Sequence, residues 1–306
     1  MDWSRSDELA DELSSVGDLL RFCATLFERE EIFCGHGTDD RWDEAVALVV
    51  GHLRLPWDRA DLVLDAKLMR DERRQLIELA RKRVEARIPV PYLTGFAWFA
   101  GHRFEVDPRV VVPRSPIAEL IEAHFQPWLG VLEPRRILDL CAGSGCIGIA
   151  CAHAFPRAEV DLVDVSADAL EVARKNVVRH GVADRVSLVK SDLLEAVPET
   201  RYELIVCNPP YVADSELGEM PPEYAHEPRL GLAGGDDGLQ FALRVLCAAR
   251  AYLHADGILV MEVGDAGAAL ERRCSSLPFL WPELEGGGRG LFVLRARDLP
   301  ESAESL

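Results

Sequence analysis

The chain has 306 residues, enough for two domains or one large one, and its 48% hydrophobic and 28% charged composition excludes a disordered, collagenous or fibrous protein. Thirty-four basic side chains against 52 acidic ones leave a net charge of −18. That sign disfavours an enzyme that tracks nucleic acid by neutralising phosphates, and it suits a basic partner.

The first 15 residues are acidic and lack the apolar run of an export signal. Residues 1–87 carry apolar side chains at helical spacing, in Leu9, Leu13, Val16, Leu19 and Leu20 and again in Leu76, Ile77, Ala80 and Val84, which predicts a helical N-terminal domain. Its first 44 residues hold 13 acidic and four basic side chains, a net −9 and half the charge of the whole chain. Either this is a solvated face, or Asp7, Glu12, Asp40, Glu44 and their neighbours form an acidic surface that recognises a basic protein substrate. Over residues 88–114 the pattern changes to prolines, glycines and short alternating runs around Gly101 and His102, which predicts a linking β-hairpin.

From 115 to 306 strands and helices alternate, with strands at RILDL, EVDLVDV, RVSLVKSD, YELIVC and GILVMEV. This predicts an α/β domain with a doubly wound, mostly parallel, Rossmann-like sheet. The last two apolar runs, Leu280–Leu284 and Gly290–Leu294, are joined by Gly286–Gly288 and predict a hairpin that completes seven strands, one of them antiparallel. The most apolar stretch, residues 140–155, is shorter than the roughly 20 apolar residues a bilayer requires, so a cytoplasmic protein without membrane contact is expected. Eight cysteines lie scattered with no C-x-x-C pair. Cys146 and Cys151 sit about 140° apart on a helix and cannot hold one ion from one face. Reduced thiols and no metal are expected.

The segment Asp139–Gly148 follows a strand and opens a helix, and Gly143, Gly145 and Gly148 satisfy the G-x-G-x-x-G spacing. Asp164, 21 positions after Gly143 at the end of the next strand, can accept hydrogen bonds from both hydroxyls of a ribose. This pattern alone fits a nicotinamide cofactor or S-adenosylmethionine. Two residues favour the latter. Asp139 places a carboxylate where it attracts a cation and repels a pyrophosphate, and Asp192, after the third strand, can accept the adenine amino hydrogen, although it can also simply cap a helix.

Asn208-Pro209-Pro210-Tyr211 ends the fourth strand, at the edge where doubly wound sheets bind ligands. An amide nitrogen is a poor nucleophile because its lone pair is shared with the carbonyl. If the Asn208 side-chain oxygen and the Pro209 carbonyl each accept one N–H of a planar NH2 group, the nitrogen is held face-on to an electrophilic methyl. Prolines hold those carbonyls still, and Tyr211 can pack its ring on the flat group.

On these motifs the chain resembles the N5-glutamine methyltransferases over roughly residues 85–295. Within that family it is similar to the branch acting on a ribosomal protein of the L-three type. That branch is indicated by Pro113-Arg114-Ser115-Pro116-Ile117, where the release-factor branch reads PRPET, and by the run from Glu223 to Leu239. The resemblance implies S-adenosylmethionine as cofactor and S-adenosylhomocysteine as product. It assigns the methionine end to the loop of Ala142, Gly143, Ser144 and Gly145, the ribose to Asp164, and both cofactor proximity and the target amide to Asn208. Cys141-Ala142 departs from the threonine-bearing sequence usual before Gly143 and removes one hydroxyl. The alternatives are methylation of a release-factor glutamine, or of an exocyclic adenine or guanine amine, which the acidic charge disfavours.

Overall fold

The computed structural model of the chain describes residues 3–301. It divides into two compact units, Met1–Phe96 with Pro221–His226, and Ala97–Met220 with Glu227–Leu306.

The first unit is built on helices Ser6–Glu12, Val16–Arg29, Arg41–His52 and Arg70–Glu85. Ser15 starts the second of these with a reciprocal cap: its hydroxyl accepts from the Asp18 N–H and the Asp18 carboxylate accepts from the Ser15 N–H. Leu19, Leu20, Cys23 and Phe27 then fall on one face and meet Leu48, Val49, Leu76, Ile77 and Ala80 in a closed core. The unit also has a buried charge cluster. Arg83 is fully buried, with Nε 2.6 Å from Glu44 Oε1, Nη1 3.1 Å from Glu223 Oε1, and Nη2 donating to the Phe33 carbonyl at 2.7 Å. The segment Pro221–His226 thus belongs to this unit through Glu223, which no local pattern announces. Glu44, expected on an acidic surface, is instead buried as the counter-ion of Arg83. Asp7 and Asp11 are paired with Arg74 and Arg70, and Asp40 caps the helix Arg41–His52, so part of the −9 is consumed within the unit.

From Phe96 onward the chain forms two sheets. Strands β1 (Phe96–Phe99) and β2 (His102–Glu105) form the hairpin. Strands β3 (Arg136–Leu140), β4 (Glu159–Asp164), β5 (Val186–Lys190), β6 (Tyr202–Cys207), β7 (Leu253–Glu262) and β8 (Leu291–Arg295) form one sheet in the order β5-β4-β3-β6-β7-β8, with only β8 antiparallel. Its central strands are apolar and buried on both faces, where one core lies under Ile149, Ala173 and Ile258 and another under Leu246, Met261 and Phe292.

The expected count of seven strands is corrected to six. Leu280 pairs with Val293 through two hydrogen bonds as an isolated bridge, and no seventh strand forms among the described residues. Pro278 and Pro282 flank that pair, and proline has no N–H to extend a ladder.

Candidate active site

Chain order reverses between β3 and β6: β4 and β5 lie on one side of β3, β6 and β7 on the other. The carboxyl ends of strands at such a reversal diverge and leave a crevice. Asp139, the glycine loop, Asp164, Asp192 and Asn208 all occur at those ends. Leu140 and Cys207 are register partners, so the glycine loop and the NPPY turn leave the sheet side by side.

The glycines have distinct tasks. Gly145 (φ +78°) starts the helix Cys146–Ala154, and Gly143 (φ +55°) turns the loop with open space where a Cβ would stand. A Cβ on Gly148 would collide with Leu162 and come within 2.9 Å of Asp139 Oδ2, so its absence lets the Gly148 N–H reach that oxygen at 2.7 Å. The loop is held from outside: the Ala142 N–H donates to the Val163 carbonyl, and the buried Asn176 amide donates to the Ser144 carbonyl at 2.9 Å. Cys141 adopts φ +60°, a left-handed backbone unusual for a side chain.

Asp139 is fully buried, and its Oδ1 has no hydrogen-bond partner among the described residues. Burial, opposed by the Gly148 N–H and reinforced by the Asp164 charge, pushes its pKa up to about 8. A buried carboxyl with one oxygen satisfied and the other bare is a receptor for a cation or a donor. Asp164 uses one oxygen on the Gly143 N–H (2.9 Å) and the other on the Ser166 N–H (2.8 Å), leaving one further lone pair on each. Burial raises its pKa as well, against those bonds. Asp192 is half-exposed and ion-paired with Arg244 at 3.0 Å.

Beyond Cys207, Asn208 is half-buried and its side chain makes no hydrogen bond among the described residues, while Pro209 and Pro210 are buried. The turn is clamped by the glycine-rich stretch that follows: the Val212 N–H donates to the Leu232 carbonyl and the Gly234 N–H to the Val212 carbonyl. A Cβ on Gly234 would lie 2.8 Å from Tyr211 Cα, so the run Ala233–Leu239 is glycine-rich because backbone packs on backbone there.

Glu262, which the sequence did not single out, and Arg114 of the PRSPI segment stand behind the NPPY turn. Glu262, the last residue of β7, is buried and accepts from the Tyr211 hydroxyl at 2.7 Å and from the Ser115 hydroxyl at 2.6 Å. Burial raises its pKa, partly offset by those two donors. Arg114 beside it grips the buried Glu227 in two parallel bonds of 2.5 and 2.7 Å, which joins the PRSPI segment to the EPRLG segment. The only local hint of these roles was the match of both segments to one family branch.

Residues 120–220 match the family model described as "Methyltransferase small domain". The chain is 49% identical over 289 residues to the "Ribosomal protein uL3 glutamine methyltransferase" of Bordetella pertussis (strain Tohama I), covering 94% of this chain and 97% of that one. It is 47% identical over 290 residues to the protein of the same name from Xanthomonas campestris pv. campestris, covering 95% and 94%. The chain belongs to the uL3 glutamine methyltransferase family. Membership makes it a methyltransferase, and the identity spans both compact units. Ser115, in the PRSPI segment, places its hydroxyl on the same carboxylate, Glu262, that accepts from the NPPY tyrosine. No helix among the described residues is long and apolar enough to cross a membrane.

Proposed function

We propose that this enzyme transfers a methyl group from S-adenosylmethionine to the side-chain amide nitrogen of a glutamine in ribosomal protein uL3. The observation that carries this reading is 47–49% identity over nearly the full length to enzymes of that name, in a chain whose NPPY turn leaves the sheet next to the half-satisfied carboxyl of Asp139.

The residues at the crevice fit the cofactor: Asp139 Oδ1 is bare and buried, and the space above Gly143 is open. S-adenosylmethionine supplies an electrophilic methyl group on a sulfonium. Asp139 and the loop Ala142–Gly145 hold the methionine end, Asp164 the ribose, and Asp192 the adenine amine once it shares or releases Arg244. Asn208 and the Pro209 carbonyl accept the two N–H groups of the glutamine amide and fix its plane. Tyr211 packs on that plane, with its ring set by the bond to Glu262. The methyl group would pass to the amide nitrogen with cleavage of its bond to sulfur, the electron pair staying on sulfur as the thioether of S-adenosylhomocysteine, and the nitrogen would give up one proton to solvent. Because the backbone of the turn is held before substrate arrives, part of the reorientation is removed from the barrier.

The deciding experiment gives the purified chain labelled S-adenosylmethionine with uL3, release factor and RNA in separate reactions. Label in uL3 that disappears when the modified glutamine is replaced by alanine supports the reading; label in release factor or RNA alone refutes it.

Asp164→Ala should weaken cofactor binding more than it slows saturated turnover, because ribose contacts exist in ground and transition states alike. Calorimetry showing unchanged affinity would remove Asp164 from the site. Asp139 predicts proton release. Its carboxyl titrates at about 8 in the free protein, so it is protonated at pH 6.5, and a bound cation favours the carboxylate. Cofactor affinity should therefore rise with pH up to about 8, and calorimetry at pH 6.5 in buffers of different ionisation enthalpy should detect close to one proton released. Asp139→Asn should abolish that release, and a wild-type value of zero would count against the contact.

A further inference from the structure

Outside the crevice, three histidines far apart in sequence converge within the second unit. His102 begins β2, His153 lies in the last turn of the helix Cys146–Ala154, and His180 caps the C-terminus of the helix Ala167–Arg179. All three are half-buried, and one ring nitrogen from each lies within 4.8 Å of the other two. We propose that His102, His153 and His180 bind one divalent transition-metal ion of the zinc class, which staples the hairpin to the C-terminal ends of the two helices.

Distance, tautomer and field support this assignment. His153 Nε2 and His180 Nδ1 are 3.1 Å apart. Two nitrogens on a tetrahedral zinc ion, each at about 2.0–2.1 Å, stand about 3.4 Å from one another, so a metal can replace the shared proton with little movement. His180 Nε2 lies 3.2 Å from the Arg103 carbonyl, and the only hydrogen bond available there has Nε2–H as donor. In the neutral ring Nδ1 then carries the lone pair, the arrangement that orients metal-bound imidazoles. Phe104, stacked on His180 with centroids 4.6 Å apart, keeps that ring in place. His102 is stacked on His153 at 4.5 Å, so it must turn about its Cβ–Cγ bond to aim a nitrogen at the same ion.

Both helices present carbonyl-rich C-termini here, where the aligned peptide dipoles favour positive charge. Three imidazoles without a carboxylate suit zinc, copper or nickel and not magnesium or calcium. His153 lies eight residues beyond Gly145, about 12 Å along its helix, so the ion would brace the far end of an element whose near end shapes the glycine loop, without touching the reaction.

The test uses the full-length chain, its purification tag removed and its metal stripped by a chelator. Zinc titrated into it by calorimetry should bind at one equivalent with micromolar or tighter affinity and raise the melting temperature, while magnesium should do neither. His102→Gln and His153→Gln should each weaken zinc at least tenfold; His180 is left intact because it packs on Phe104. Cobalt in the unaltered chain supplies a readout that needs no variant: visible d–d bands without a thiolate charge-transfer band mark imidazole ligation. No binding, affinity in both variants equal to that of the unaltered chain, or a thiolate band from the eight free cysteines would overturn the proposal.

Discussion

Replacing Asn208 with alanine is expected to lower the saturated rate of methyl transfer by about 10²–10³, the usual consequence of losing one preorganised contact at the reacting group. The half-buried Asn208 side chain has no other hydrogen-bond partner among the described residues, so its removal breaks no structural bond. The backbone of the turn stays clamped by the Val212–Leu232 and Gly234–Val212 hydrogen bonds. Cofactor affinity should change far less than turnover. Single-turnover kinetics with labelled cofactor and uL3, beside circular dichroism to verify the fold, separates the two effects, and near-normal turnover would remove Asn208 from the amide clamp.

Arg83→Met should be the most damaging single change to stability. It strands the buried carboxylate of Glu44 and takes from Glu223 its nearer cation, leaving Arg87 at 3.6 Å, and breaking a buried pair by removing one partner commonly costs about 3–5 kcal/mol. Thr38 also donates to Glu44, at 2.5 Å, but a hydroxyl cannot neutralise the charge. Thermal and denaturant unfolding should show the loss in the first unit. The triple variant Arg83→Met, Glu44→Gln, Glu223→Gln should recover a substantial part of it, because no uncompensated ion then remains buried. If the single variant melts like the parent, the cluster contributes nothing to holding Pro221–His226 in that unit.

Residues 76, 77, 80, 83 and 84 form one helical stripe, and four of the five are apolar. The stripe announced the helix and its buried face, yet an arginine inside it reads as a break in the pattern until its partners at positions 44 and 223 are known. The same division runs through the site. The glycine loop and the NPPY turn are local backbone chemistry, a positive φ here and a fixed carbonyl there, and local chemistry is written in consecutive residues. So are the alternating strands and helices that predict the parallel sheet, since side-chain period and segment length depend on neighbours alone.

What joins Tyr211 to Glu262 and Ser115, Asp192 to Arg244, or His102 to His153 and His180 is closure of the chain over dozens of residues, and no periodicity encodes it. The seventh strand makes the same point from the other side: its apolar run has strand character, but pairing requires N–H groups facing a neighbour, and the prolines at 278 and 282 limit the contact to Leu280. The backbone of the glycine loop and of the NPPY turn is therefore legible in short motifs, while the charges that brace it and the face on which Glu44 lies are settled only by tertiary packing.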